Sequence, residues 1–423
     1  MDILVERAVI VGVHIQTDEH FEYSMEELKN LAEAIDVEVV GTVTQNLERR
    51  NPSHYVGTGK IEEIRNFYEE ADANVVIFND ELSPSQIRNL ENGLECKVID
   101  RTMLILDIFE RRARTSEARM QVDLAQLQYM LPRLIGLRAS LGRQAGGTGG
   151  GLQNKGAGET KLELDRRIIE DQIAKLKRDL EGVQYQRETQ RKQRKRSGTP
   201  VVSLVGYTNA GKSTLMNGIL KKMNAEVTKQ VFEKDMLFAT IDTSVRRVRL
   251  PDNKEFLLTD TVGFVGKLPT HLVKAFRSTL EEARNADLLL QVVDVSHPEY
   301  RFMMDVTNQT LSDVGVENIP TINVFNKADL ADMKYPKVSD NNIWLSAKDG
   351  DGLDELVELI KSYVFDKYIT CKLLVPFDRG DVVSYLNDKA NVKETAYEEE
   401  GTYMTVEMLA HDRERFEEFI TSY

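Results

Sequence analysis

Cysteine is almost missing from this 423-residue chain: Cys96 and Cys371 are the only two. That excludes a disulfide framework and fits a reducing compartment, so a cytoplasmic setting is expected. Long apolar runs are missing as well. No stretch approaches the roughly 18 residues of a membrane-spanning helix, so no span is expected. The run "AVIVGV" near the start is of strand length and lies beside Asp2 and Glu6, which gives no sign of a signal peptide. The six histidines show no ligand spacing, which argues against zinc.

Positive charge is scarce overall, with a net charge of −14. Taken alone, that argues against a nucleic-acid partner. The average hides a local reversal, because residues 101–200 hold 21 Lys and Arg against 12 Asp and Glu. A basic segment inside an acidic chain points to one surface that faces a polyanion.

Residues 1–100 alternate strand-like and helical runs. "RAVIVGVHI" (7–15), "VEVVGTVTQ" (37–45), "NVVIF" (74–78) and "CKVID" (96–100) read as strands, with helices near 24–34, 60–71 and 83–92. That rhythm predicts βαβ units and a mostly parallel sheet. From 101 to 197 the period changes. Met120, Leu124, Leu127, Leu131 and Leu134 form one helical stripe, and Leu162, Ile169, Ile173, Leu176, Leu180 and Val183 form another. Two such stripes joined by a loop predict an antiparallel hairpin of helices about 20 to 35 residues long; two ordinary amphipathic helices on a core are the plainer alternative. The second stripe runs into "RETQRKQRKRSG" (187–198), polar all round, which reads as a linker or binding arm. Strand–helix units resume in residues 198–366. Residues 367–423 read as a small α/β domain with strands at "KLLVPF" and "TYMTVEML", a helix near 379–390 and a final acidic helix.

The chemistry lies in the third region. "VVSLVGYTNAGKST" (201–214) places Gly206, Gly211, Lys212 and Ser213 in phosphate-loop spacing, after a strand and before a helix. Glycines let the backbone amides of Tyr207, Thr208, Asn209, Ala210 and Thr214 approach an anion closely. Lys212 suits the β- and γ-phosphates, and the Ser213 hydroxyl suits Mg²⁺. Asp260 ends the strand "EFLLTD" where a magnesium-holding aspartate stands, followed by Thr261, Val262 and Gly263, whose amide suits the γ-phosphate. In "FATIDTS", Phe238 and Ala239 precede Thr240, the candidate switch threonine over Mg²⁺, with Thr243 as its competitor. "NKAD" supplies Asn326, Lys327 and Asp329, and "SAK" supplies Ser346, Ala347 and Lys348. A carboxylate at 329 can accept from guanine N1–H and N2–H₂, donors that adenine lacks; Lys327 can lie over the base. The five motifs stand in order and predict a GTPase, with Lys212, Thr240 and Gly263 as catalytic candidates. The fold class expected is α/β: a doubly wound, mostly parallel P-loop domain, preceded by an α/β domain and the helical hairpin and followed by the small α/β domain.

The chain resembles the HflX family of ribosome-associated GTPases. The likeness rests on "YVGTGKIEEI", "ARTSEARMQVDLAQLQYMLPRL", "GGTGGGLQNKGAGETKLELDRR", "FATID" and "DTVGF". It implies binding to, and stimulation by, the large ribosomal subunit, and a role in splitting stalled or idle ribosomes under stress. It also implies rRNA contact through the hairpin and residues 142–159, eight of whose eighteen residues are glycine, flanked or interrupted by Arg138, Arg143, Gln153, Asn154 and Lys155. A monomer is expected. "YVGTGK" fails as a second phosphate loop, since His54 and Ile61 stand where glycine and Ser or Thr are needed, and it reads as a glycine-assisted helix start; relatives have been credited with nucleotide binding in this N-terminal region, which keeps that alternative open. Two other functions also remain open: a switch acting through a protein effector, and an NTPase remodelling free RNA.

Phe264 follows Gly263 where the familiar GTPases carry a water-orienting glutamine. A phenyl ring offers water neither donor nor acceptor. The family implies the same hydrophobic replacement, with the missing group supplied by a partner, a cation or a moved switch. Asn209 could help phosphate oxygens hold a potassium ion there. The isolated protein is therefore expected to turn over GTP at roughly 10⁻⁴ to 10⁻² per second, faster in KCl than in NaCl. Several turnovers per second would refute the first expectation, and equal rates in the two salts the second.

Overall fold

A computed structural model describes residues 6–144, 155–196, 199–223, 238, 244–269, 272, 282–366 and 368–422. The chain forms two compact units. The first comprises Met1–Lys192 with Lys234–Asp242 and Gly263–Thr279; the second comprises Gln193–Glu233, Thr243–Val262 and Leu280–Tyr423.

The first unit is built on β1 (Arg7–His14), β2 (Glu38–Asn46), β3 (Val75–Phe78) and β4 (Lys97–Asp100), all parallel, in the order β2-β1-β3-β4. The inner strands β1 and β3 read as unbroken apolar runs because helices cover both faces of such a sheet. Helices α1 (Phe21–Glu33), α2 (Thr58–Glu70), α3 (Pro84–Leu94) and α4 (Arg101–Arg112) alternate with the strands. Ser83 and Gln86 close a capping box at the start of α3. Gly57 opens α2, its amide donating to Gln45 Oε1 at 2.9 Å, so "YVGTGK" is a helix start. Helix α4 was not read from the sequence. Seven of its twelve residues are buried, a mixed set that includes Arg101 and Thr102, and this blurs the apolar period.

Two consecutive buried residues organise this unit. Asp100 caps α4 by accepting from Met103 N at 2.9 Å, and also accepts from Leu82 N at 2.8 Å and Tyr129 Oη at 2.7 Å. Arg101 is 1% exposed and pairs with Glu27 at 2.7 Å. Its guanidinium also donates to the carbonyls of Ser24 at 2.6 Å, Asn79 at 3.0 Å and Gly266 at 3.2 Å. Next to Gly266, Lys267 reaches Asp80 at 3.0 Å and Asp18 at 3.4 Å.

Helices α5 (Ser116–Gln144) and α6 (Lys155–Arg196) follow. Arg187 meets Glu117 at 2.6 Å, which joins the last part of α6 to the first turn of α5. Helix α6, at 42 residues, is longer than expected. Its arginines, lysines and glutamines are strong helix formers, so the polar tail stays helical. The expected stripe on α6 is half-buried at Ile169, Ile173, Leu176, Leu180 and Val183; the Leu162 side chain lies outside the described set. On α5 the deeply buried face is a second stripe, Ala118, Val122, Ala125 and Tyr129. It packs α5 onto α3 and α4.

The second unit holds a seven-stranded sheet: β5 (Val201–Gly206), β6 (Ser244–Arg249), β7 (Glu255–Asp260), β8 (Leu288–Asp294), β9 (Thr321–Asn326), β10 (Lys337–Ser339) and β11 (Asn342–Trp344). Its order is β10-β11-β9-β8-β5-β7-β6. Only the outermost strands β10 and β6 pair antiparallel. Helices α7 (Lys212–Lys222), α8 (Tyr300–Asp313) and α9 (Leu353–Val364) pack on it. The last part is an antiparallel sheet of β12 (Tyr368–Val375), β13 (Asn391–Glu398), β14 (Gly401–Leu409) and β15 (Ile420–Ser422) with α10 (Gly380–Lys389). The expected final acidic helix is a 3-10 run, Ala410–Phe419. Strand β13 went unread because, as an edge, it is mostly polar and exposed.

Arg101→Met leaves Glu27 buried without its partner and is expected to cost the first unit about 3–5 kcal/mol. Hydrogen exchange across β1 and β3 measures this; wild-type protection of those amides would contradict the account.

Candidate active site

The carboxyl ends of β5, β7, β8 and β9 lie side by side, which is where open α/β sheets place ligands. The buried strand β5 delivers Gly206 with φ 146°, and a Cβ there would stand 2.2 Å from the Val292 carbonyl oxygen. At the loop's far end Gly211, φ 91°, passes so close to Asn326 that a Cβ would lie 2.3 Å from its Nδ2. Both glycines are therefore required by close backbone approach. Between them Tyr207, Thr208 and Ala210 are buried, and Asn209 is exposed in the left-handed region at φ 60°. Thr214, in the first turn of α7, is half-buried.

Lys212 opens α7 and turns back under the loop, donating to the carbonyls of Gly206 at 3.0 Å and Tyr207 at 2.7 Å. Burial pushes its ammonium down to about 8, against the raising effect of Asp260. Ser213 Oγ donates to Asp260 Oδ2 at 2.7 Å. Asp260 is buried at the end of β7, in register with Leu204, and Thr261 locks the turn by donating to the Leu204 carbonyl at 2.6 Å. Among the described residues no group of three or more His, Cys, Asp or Glu could hold a metal by itself. The Ser213–Asp260 pair offers two hard oxygens, which fits a Mg²⁺ shared with phosphate oxygens and water.

Val262 ends its segment of the second unit, and Gly263 begins a segment of the first. Phe264 is 2% exposed. Phe238 belongs to the first unit, edge-on to the Phe109 ring at 4.6 Å. Ala239, Thr240 and Thr243 lie outside the described residues.

The base loops converge on Asn326, which is 3% exposed. Its Nδ2 donates to the Ala210 carbonyl at 2.9 Å and its Oδ1 accepts from Ala347 N at 2.9 Å. Lys327, in the left-handed region at φ 61°, pairs with Asp294 at 2.8 Å. Asp329 sits half-buried in a short 3-10 turn, and among the described residues none hydrogen-bonds its carboxylate. Ser346 is buried, its hydroxyl donating to Asp349 at 2.8 Å, while Lys348 is exposed. The structure thus joins the phosphate loop, Asp260 and both base loops in one unit. Asp294 was missed in the sequence, although an acid closing an apolar strand in a parallel sheet is a usable signal. Phe325 on β9 and Trp344 on β11 were missed too; their rings stack at 4.9 Å.

Three family profiles match the chain: GTP-binding GTPase N-terminal over residues 22–110, GTP-binding GTPase Middle Region over 112–194, and 50S ribosome-binding GTPase over 201–327. A protein named GTPase HflX from Caldanaerobacter subterraneus is 43% identical over 417 residues, 99% of this chain and 94% of the relative. One of the same name from Escherichia coli is 38% identical over 94% of this chain and 92% of its own length. Another, from Flavobacterium psychrophilum, is 48% identical over 77% and 76%.

Asp329→Asn is expected to weaken GTP and gain xanthosine triphosphate, because an amide can donate to the carbonyl at that base's 2-position while a carboxylate cannot. Nucleotide competition binding measures it. Unchanged GTP affinity would remove Asp329 from the base site.

Proposed function

This chain belongs to the HflX family of GTPases, and on that premise we propose that it binds the large ribosomal subunit and uses GTP to remodel or separate stalled or idle ribosomes. Binding and hydrolysis of GTP come with the family. The observation that carries the ribosomal part is the match of residues 201–327 to the 50S ribosome-binding GTPases, over the span that holds the phosphate loop, Asp260 and Asn326. The paired helices α5 and α6 support it. At 1.5 Å of rise per residue, 42 residues of α6 extend roughly 60 Å. The glycine-rich stretch 145–154, between their ends, lies outside the described residues.

In the proposed cycle the amides of 206–214 and the α7 N-terminus receive the phosphates. Lys212, released from the Gly206 and Tyr207 carbonyls, meets the β- and γ-phosphates. Ser213 and Asp260 would hold Mg²⁺, with Thr240 the candidate further ligand from the sequence, and the ion would neutralise charge developing on the phosphate oxygens. Asn209, exposed in the phosphate loop, would be the residue to help phosphate oxygens hold a potassium ion. From its place after Asp260 in the sequence, Gly263 is the residue expected to offer an amide to the γ-phosphate. Phe264 cannot orient water, so turnover waits for a group that the ribosome brings or positions.

Replacing residues 143–155 with a Gly/Ser linker is expected to spare GTP binding and intrinsic hydrolysis while abolishing stimulation by large subunits. Charge reversal at Arg143 and Lys155 should do part of this, with an effect that shrinks as salt rises. Turnover with and without large subunits measures both. A loop-swapped protein that still bound and split ribosomes would overturn the proposal.

A further inference from the structure

Asp294 closes β8 directly beside Asn326, its register partner on β9. Both of its carboxylate oxygens are committed. Oδ1 accepts from the Ser296 amide at 3.1 Å and the Ser296 hydroxyl at 2.5 Å, while Oδ2 meets the Lys327 ammonium at 2.8 Å. The turn that carries Asp294 is tied to β9 in its own right, because Val295 N donates to the Asn326 carbonyl at 3.1 Å. The carboxylate is thus a fixed post, and Lys327 is what it restrains.

Lys327 needs restraint for two reasons. Its backbone occupies the left-handed region at φ 61°, which side chains other than those of Gly, Asn and Asp rarely adopt. Its four-carbon stem would otherwise sample many rotamers. The lysine side chain is 26% exposed and Asp294 17%, so the pair is partly in water and its attraction is moderated accordingly.

We propose that Asp294 is a positioning residue for the guanine subsite: by clamping the Lys327 ammonium it holds the lysine stem where it covers the base, before nucleotide arrives. This rests on reading Asn326–Asp329 as the base loop. The division of labour follows from geometry. Asp329 reads the edge of the base and so sets which base binds, whereas Lys327 lies over its face, which all purines share. Asp294 therefore governs how tightly and how long a nucleotide is held, not which one. Restraint present before binding lowers the ordering cost at binding.

The test uses the full-length protein and GDP carrying a fluorescent methylanthraniloyl label, with equilibrium titration and stopped-flow dissociation. Asp294→Asn is expected to raise Kd about three- to tenfold, mainly through faster dissociation. It should leave kcat at saturating GTP and the preference for GDP over xanthosine diphosphate unchanged. Asp294→Glu should recover part of the loss, and Ser296→Ala should reproduce part of it. Asp294→Asn combined with Lys327→Met should bind no more weakly than Lys327→Met alone, since the carboxylate acts through the ammonium. Wild-type affinity in Asp294→Asn, or losses that simply add in the double variant, would overturn the proposal. An Asp329→Asn protein that kept its guanine preference would overturn the base-loop reading beneath it. A normal switch in that control beside an unaffected Asp294→Asn would remove only the role of Asp294.

Discussion

The side-chain amide of Asn326 is the constraint on which the nucleotide site depends. One end donates to the Ala210 carbonyl in the phosphate loop, and the other accepts from the Ala347 amide in the loop after β11. Three segments far apart in sequence are thereby held by a single planar group shielded from water. Aspartate would set a carboxylate against the Ala210 carbonyl with no proton to give it, and glutamine would be one methylene too long. The missing Cβ of Gly211 is the same contact seen from the other side, because the amide nitrogen occupies the space a side chain would need. The phosphate loop and the loops after β9 and β11 are therefore tied together at one side chain.

The first unit is held by a different kind of constraint: ionised groups taken out of water and paired with opposite charges and backbone carbonyls. Burying Arg101 and Glu27 is costly unless geometry is good, and here the guanidinium is saturated by three backbone carbonyls and Asn79 Oδ1 as well as the carboxylate. Asp80 shows the same balance. Burial alone would raise its carboxyl, but Lys267, the Tyr55 hydroxyl and Arg50 outweigh that and hold it below the usual range. Through Gly266 and Lys267 this network holds the segment that begins two residues beyond Phe264, so the stretch next to the mute phenylalanine is fixed by α1, α4 and the loops after β1 and β3.

Much of this was legible in the chain itself. Strands β1, β3, β5 and β8 are near-continuous apolar runs, and fully covered parallel strands have to be. The phosphate loop and the "NKAD" and "SAK" strings could be read because glycine at a left-handed or crowded position leaves no substitute, and because an amide that must both donate and accept can be replaced only at a cost. Helix α4 and strand β13 were not legible, for opposite reasons. The buried face of α4 includes Arg101 and Thr102, which no apolar period would place in a core. Strand β13 is an edge with little to bury, so it carries little pattern.

The sequence by itself determined the elements, the order of the motifs and the chemistry each motif offers, because those depend on local backbone freedom and on functional groups that travel with the residue. Only the tertiary structure decided which groups meet. That Lys212 rests on the carbonyls of its own loop, that Ser213 reaches Asp260 across 47 positions, and that Asp294 rather than solvent receives Lys327 all depend on strand order and register. Those are set by how several buried faces pack at once, and no window of sequence contains that information. Helix α5 makes the point within one element: the leucine stripe read from the sequence is buried only at Leu124 and half-buried elsewhere, because packing against α3 and α4 buries the neighbouring face, Ala118, Val122, Ala125 and Tyr129.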